Sequence, residues 1–272
     1  MSIKQNLHTH TTYTDGKNTP EEVVLEALAR GFDSVGFSEH SYLSNSSSSQ
    51  HFTEEKMEQY KKEIKDLKLK YKGKIDLYCG LEYDFYSDVN TIGLDYLIGS
   101  VHCLNIDGEI KSFDRGLDET VNYINDNFDG DGMAFAKKYY ETVSRLSEKK
   151  NFDIIGHFDL ITKNNEKGLF LETTSREYLN MGFEAIHALK GKIPFFEVNT
   201  GAISRGYRSS PYPQMDFLKE FNHMGFGAVI TSDCHNKSFI DSFYDDAKML
   251  LIEAGFKSIY VLTDNGFKEI GL

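Results

Sequence analysis

Short apolar runs recur along this chain of 272 residues, and nearly every one ends close to an imidazole or a carboxylate. Residues 3–7 run into His8-Thr9-His10, with Asp15 close behind. Residues 34–37 precede Glu39-His40. Residues 75–81 end at Glu82, 96–101 at His102, and 152–155 at Gly156-His157. Residues 193–198 lead to Asn199, and 226–231 lead to Asp233-Cys234-His235. Between these runs lie helical patterns. Thr19-Pro20-Glu21-Glu22 is a helix start, with a capping threonine, proline at the first helical position and acids in the first turn. Val23, Val24, Ala27 and Leu28 give that helix its apolar face, and Gly31 ends it. Further helices are expected over 53–71, 118–127, 133–149, 173–189, 213–224 and 239–253, with a last strand at 258–262.

Short buried strands alternating with helices predict an α/β fold, a parallel sheet covered by helices. The polar residues choose between an open sheet and a closed ring. An open sheet would leave His8 and His235 far apart, whereas a closed ring brings all the C-terminal strand ends around one point. The expectation is therefore a TIM-like barrel of seven or eight strand–helix units, forming a single domain over residues 1–272. No GxGxxG or GxxxxGK[ST] loop offers an alternative phosphate cradle.

The formal net charge is −12, which disfavours nucleic acid or an anionic membrane as a general partner. No apolar stretch approaches the roughly 20 residues that span a bilayer. The first residues lack the apolar core of a signal peptide, so a cytoplasmic location is expected. Cys79, Cys103 and Cys234 are not in metal-finger spacing. Strand alternation turns Cys103 away from His102, and Cys234 away from Asp233 and His235, so all three are expected in the core. The run Ser44 to Gln50 reads as a loop after His40, either covering a site or merely connecting. Nothing in the sequence sets an oligomeric state.

His8 and His10 stand two apart at a strand end and so face one side; Asp233 and His235 repeat that spacing. With Glu82, His102 and His157 they form a nitrogen and oxygen donor set suited to divalent Zn, Mn or Fe.

His8-Thr9-His10 with Asp15-Gly16, Ser38-Glu39-His40, Gly80-Leu81-Glu82, Gly99-Ser100-Val101-His102, Gly156-His157 and Ser232-Asp233-Cys234-His235 together resemble the PHP (polymerase and histidinol phosphatase) superfamily. The match runs essentially the whole chain. Gly156-His157-Phe158-Asp159-Leu160, Glu197-Val198-Asn199-Thr200-Gly201 and Tyr212-Pro213 further resemble its histidinol-phosphate phosphatases, the enzymes of histidine biosynthesis. The resemblance implies the PHP fold, a distorted TIM-like (β/α)7 barrel, with three divalent transition metals. His8, His10, Glu82 and Asp233 would hold the first. Glu82 would bridge to a second, completed by His102 and His157. Asp15, His40 and His235 would hold the third. The implied reaction is hydrolysis of L-histidinol phosphate to L-histidinol and phosphate, with a metal-bridged hydroxide attacking phosphorus in line. Glu82, His102 and Asp233 are the catalytic candidates, and Asp233 or a water would protonate the leaving group. Two alternatives remain open: a PHP phosphoesterase for another small ester or nucleotide, and a metal-stabilised domain without catalysis.

For the phosphate, Arg205 is the first candidate, with Arg208 on the same loop; Arg can grip phosphate oxygens bidentately. Lys163 is another, since related enzymes carry basic residues after the Gly-His-x-Asp-Leu stretch; Thr162 departs from that pattern. Arg115 is weaker. Glu39 could tune His40 or meet a substrate amine, or be a capping or ion-paired acid. Asp159 shares that ambiguity. Asn199 would orient a ligand, line the pocket, or simply turn the chain.

Overall fold

The computed structural model describes residues 4–41 and 52–272. In chain order its elements are β1 (Gln5–Asn6), α1 (Pro20–Ala29), β2 (Ser34–His40), α2 (Glu54–Lys70), β3 (Asp76–Asp84) and β4 (Tyr96–Ser100). A hairpin of β5 (Cys103–Ile106) and β6 (Glu109–Ser112) follows, then α3 (Leu117–Phe128), α4 (Gly132–Val143), β7 (Ile154–Ile155), α5 (Arg176–Leu189) and β8 (Phe195–Asn199). The chain ends with α6 (Gly201–Ser204), α7 (Met215–His223), β9 (Gly227–Thr231), α8 (Tyr244–Glu253) and a hairpin of β10 (Ser258–Thr263) and β11 (Gly266–Gly271). The Ser44 to Gln50 run lies outside the described residues.

Seven strands pair in parallel in the order β1-β2-β3-β4-β7-β8-β9 and form a nearly closed barrel, as the alternation of strand and helix predicts. Side-chain parity divides the core. On β3, Leu77, Cys79, Leu81 and Tyr83 face the helices, while Tyr78, Gly80 and Glu82 face the barrel axis. Leu7, Tyr78, Tyr96, Ile98, Ile154, Val229 and Leu262 fill the interior below the polar strand ends. Tyr96 crosses this interior, and its hydroxyl donates to the carbonyls of Leu7 and Phe37. Gly36 and Gly80 make room for it, because a Cβ would lie 2.4 Å from the Tyr96 hydroxyl at one and 2.3 Å from its ring at the other. The barrel is thus a packed plug with one polar end.

The helix signals are realised locally. Thr19 caps α1, with its side chain taking the Glu22 N–H while the Glu22 carboxylate returns to the Thr19 N–H. Thr53 caps α2 in a similar way. All three cysteines are free and buried. Three expectations change, the first being that the helix expected over 133–149 ends at Val143. The strand at 258–262 lies outside the seven-strand ring and pairs antiparallel with β11, a strand not foreseen. The helix expected over 239–253 starts only at Tyr244, after Phe243 adopts a left-handed conformation (φ 61°). Among the described residues no helix is long and apolar enough to cross a membrane.

Candidate functional site

The C-terminal ends of the strands converge on a cavity of about 230 Å3, lined by Asp15, His40, Glu82, His102, His157, Asp233 and His235 together with Asp114, Leu160, Lys163, Arg205 and Tyr207. His8 and His10 lie just beneath, fully buried. Six of the eight histidines among the described residues take part in this one cluster. A larger hollow of about 390 Å3 beside Lys4, Phe243 and Tyr260 holds none of them. Donor chemistry, and not size, locates the site.

Glu82 stands at the centre. One oxygen faces the Nε2 atoms of His157 (2.7 Å) and His102 (3.1 Å). The other faces His40 Nδ1 (2.8 Å), His8 Nε2 (3.4 Å) and His10 Nε2 (3.5 Å). The β2–β3 register puts His40 directly opposite Glu82 on the inner face. Asp233, in a left-handed conformation (φ 45°), brings Oδ1 to 3.4 Å from His10 Nε2 and 3.7 Å from His8 Nε2. Asp15 Oδ2 lies 3.1 Å from His235 Nε2 and 3.4 Å from His40 Nε2. Donor atoms close within one coordination sphere fall into four sets: His10, Asp15, His40 and His235; His8, His10 and Asp233; His8, Glu82 and His157; His40, Glu82 and His102.

This arrangement lacks something as a purely protein structure. His8 Nε2 and both ring nitrogens of His10 are buried without a hydrogen-bond partner, and Glu82 Oε2 has no closer partner than its ion pair with His40. Such atoms cost free energy unless a ligand satisfies them. Their chemistry, imidazole nitrogen and carboxylate oxygen, is that of a divalent metal site.

The charges respond to crowding. Burial pushes His8 down, but Glu197, Asp233 and Glu82 outweigh it and hold the imidazole well above its ordinary value. Burial also opposes charge on His102, and Glu82 and Asp84 still lift it to about 10. His10 goes the other way, to about 3, through burial and the neighbouring His235 and His40. Glu82 stays well below the usual carboxylate range despite burial, held there by His102, His8 and His40. Asp233 is likewise held low against its burial, first by Arg205. A cation entering here would replace protons that the histidines otherwise carry.

Of the substrate-side candidates, Arg205 and Lys163 line the cavity. Arg205 donates to Asp233 Oδ2 (2.9 Å) and to the Asp233 carbonyl (3.1 Å), and lies 2.8 Å from His235 Nδ1. Lys163 is paired with Asp114 (2.7 Å) and lies over the Tyr207 ring (4.7 Å). The structure does not bring the other three to the cavity wall. Glu39 neighbours His40 on β2 and so points to the opposite face. It is fully buried, taking the Thr11 N–H (3.0 Å), the Thr11 hydroxyl (2.6 Å) and the Thr14 hydroxyl. Asn199 is buried beneath the cavity and spans Glu197 (2.8 Å) and the Gly201 N–H (2.9 Å). Arg208 donates to the Thr162 hydroxyl and stacks on Tyr212. Asp159 is buried and accepts from the Gln214 N–H (3.0 Å).

Three supporting acids have no role assigned from the sequence, although Glu197 lies in a stretch that resembles the histidinol-phosphate phosphatases. Asp84 takes the His102 N–H (2.7 Å) and lies 3.3 Å from its Nδ1. Glu197 lies 2.8 Å from His8 Nδ1. Asp114 lines the cavity beside Lys163. For Asp84 and Glu197 a signal existed: each lies an even number of residues from an inward-facing position on its strand.

A family model described as PHP domain matches residues 6–200. The histidinol-phosphatase of Bacillus subtilis is 26% identical over 265 residues, covering 89% of this chain and 97% of the relative. That of Lactococcus lactis subsp. lactis is 27% identical over 275 residues, covering 94% and 93%. Among solved structures, the fold is similar to that of a histidinol phosphate phosphatase from Lactococcus lactis complexed with Zn, L-histidinol and phosphate. The TM-score is 0.75 at 20% identity, over 98% of this chain and 100% of that one.

Proposed function

The chain belongs to the PHP domain family, and from that premise we propose that it is a single-domain, metal-dependent phosphatase acting on L-histidinol phosphate. The products are L-histidinol and inorganic phosphate, and the reading puts the reaction in the cytoplasm. The observation that carries it is the set of buried, unpartnered ring nitrogens of His8 and His10 gathered with Glu82 and Asp233 at one cavity. The substrate assignment is supported by near full-length likeness to relatives named histidinol-phosphatase.

In this reading His8, His10, Asp15, His40, Glu82, His102, His157, Asp233 and His235 hold three divalent ions, Zn, Mn or Fe. Bound there, such ions lower the pKa of water and offset charge on phosphoryl oxygens. The chain's own groups do the rest. Arg205, held at the rim by Asp233, offers its fork to a phosphate oxygen. Lys163 adds a second positive charge, tempered by Asp114. Asp233, deprotonated in the resting site, is placed to accept a proton from the attacking water and hand it on to the departing alkoxide oxygen. Leu160 and Tyr207 supply the apolar wall for the rest of the ester.

The deciding measurement is phosphate release from L-histidinol phosphate, nucleoside monophosphates and a phosphotyrosyl peptide, compared as kcat/KM. A preference of at least about 100-fold for the first supports the reading; that factor is worth about 2.7 kcal/mol of transition-state discrimination. Equal rates would move the assignment to another small ester.

A further inference from the structure

Glu197 is fully buried on β8, behind the cavity and outside its lining. Its two oxygens accept four hydrogen bonds. Oε1 takes the His157 N–H (2.7 Å) and the Asn199 side-chain amide (2.8 Å). Oε2 takes the Thr231 hydroxyl (2.8 Å) and faces His8 Nδ1 (2.8 Å). The orientation of Asn199 is fixed in turn, because its Oδ1 accepts from the Gly201 N–H. One carboxylate therefore ties the end of β1 to β7, β8 and β9.

We infer that Glu197 is a positioning residue that keeps the His8 proton on Nδ1, so that Nε2 presents its lone pair to the cation site; this rests on the metal-site reading above. With Nδ1–H donating to Glu197, the neutral His8 ring that a cation requires leaves Nε2 bare, and Nε2 is a buried atom with no hydrogen-bond partner. It points at the space shared with Glu82 Oε2 (3.4 Å) and Asp233 Oδ1 (3.7 Å). A carboxylate behind a ligating imidazole fixes its tautomer and ring orientation.

The isosteric Glu197→Gln change isolates this role. The His157 N–H and the Asn199 amide are both donors, so the glutamine oxygen must take the Oε1 position. Its NH2 group then falls at the Oε2 position. The Thr231 hydroxyl can turn to accept, but His8 can accept there only by moving its proton to Nε2. The side chain keeps its shape and its hydrogen bonds, while His8 loses its free lone pair on the cation side.

The test is zinc affinity, measured on protein stripped of metal and titrated against a chelating competitor. E197Q is expected to bind one ion per chain roughly 10- to 100-fold less tightly than wild type, while remaining folded without metal. T231V removes a hydrogen bond to the same oxygen without reversing its polarity, and should lose several-fold less affinity than E197Q. Equal zinc affinity in E197Q and wild type, or equal losses in E197Q and T231V, would overturn the inference while leaving the metal site standing. Wild type that takes up no zinc would bring down the metal-site reading, and this inference with it. A readout independent of any variant is the long-range 15N–1H spectrum of zinc-loaded wild type. It should show His8 protonated at Nδ1; a proton on Nε2 would refute the role of Glu197.

Discussion

Arg205 is held by the cluster it is proposed to serve. It is paired with Asp233 and donates to the same residue's carbonyl, so a phosphate must share the guanidinium with a carboxylate. Removing the side chain deprives the site of a fork and leaves Asp233 without its cation. R205A should lower kcat/KM by roughly 10²–10³-fold, the range for deleting one well-placed donor. R205K keeps the charge but not the planar fork, and should fall between. K163A should cost less, about 10-fold, because Asp114 already offsets Lys163. Steady-state kinetics on the three variants give the order, and a larger loss in K163A than in R205A would exchange their roles. Glu39 asks a different question of kinetics. If it oriented a substrate amine, truncation would raise KM. Its contacts instead pin Thr11 and Thr14, on the turn that carries Asp15. E39A leaves the buried Thr11 N–H unsatisfied, a cost of about 1–3 kcal/mol, and should lower Tm and kcat with KM nearly unchanged. The lesson of Glu39 is one of parity. Its neighbour His40 was legible as inward-facing, and alternation then sends Glu39 to the other face, where no charged partner was visible from the sequence.

At the scale of elements, the turn from His10 to Asn18 does the work of a further strand. Thr14 and Gly16 both donate to the Thr11 carbonyl, and Lys17 donates to the His235 carbonyl, so Asp15 is delivered to His40 and His235 from above. Gly16 permits this closeness: a Cβ there would lie 2.2 Å from the His10 carbonyl oxygen and 2.5 Å from the Thr11 nitrogen. Those are backbone atoms that cannot step aside. G16A should displace Asp15 and cut the zinc bound per chain by about one ion, while costing about 1–3 kcal/mol of stability. Metal analysis after gel filtration checks the first effect and thermal melting the second; unchanged zinc content would show that the turn does not carry Asp15's role. Most elements were readable because their signals are local: a capping box at Thr19, apolar runs of strand length, glycine at Gly31. The β5–β6 hairpin carries such a local signal as well. Asp107-Gly108, both at positive φ (52° and 92°), is a two-residue turn between alternating residues. The β10–β11 pairing was harder, because β11 is largely exposed and lacks an apolar run.

At the scale of the whole molecule, the barrel has a seam. Strands β1 and β9 share no ladder beyond the bridge of Thr9 and Cys234, where His10 N–H donates to Cys234 O (2.9 Å) and Cys234 N–H to His8 O (3.0 Å). Side-chain amides complete the join. Asn6 donates to the Ser232 hydroxyl (2.8 Å) and accepts from the Ser232 N–H (3.2 Å), and Gln5 bonds both the N–H and the carbonyl of Leu262 (2.8 Å each). The donor cluster straddles this seam, with His8 and His10 on one side and Asp233 and His235 on the other. Metal binding is therefore expected to brace the barrel as well as equip it. At a free metal concentration 100 times Kd the added stability is about 2.7 kcal/mol, roughly 5–10 °C in Tm for a chain of this size. Its pH dependence has a definite sign. His102, raised to about 10 in the metal-free fold, contributes stability that is fully present below its unfolded value near 6.5 and is lost as pH rises toward 10. His8 and His40, also raised, act in the same direction. His10, lowered to about 3 in the fold, is deprotonated in folded and unfolded chains alike once the pH is above its unfolded value near 6.5, so it adds no slope from pH 7 to pH 8.5. Metal-free protein should thus weaken from pH 7 to pH 8.5. The metal-bound form holds those imidazoles deprotonated and does not share the loss, because a cation has taken the place of the protons. The gap in Tm between metal-loaded and chelated protein should accordingly widen over that interval. A gap that stays constant or narrows would mean that the protons on His8, His40 and His102 are not what the metal displaces.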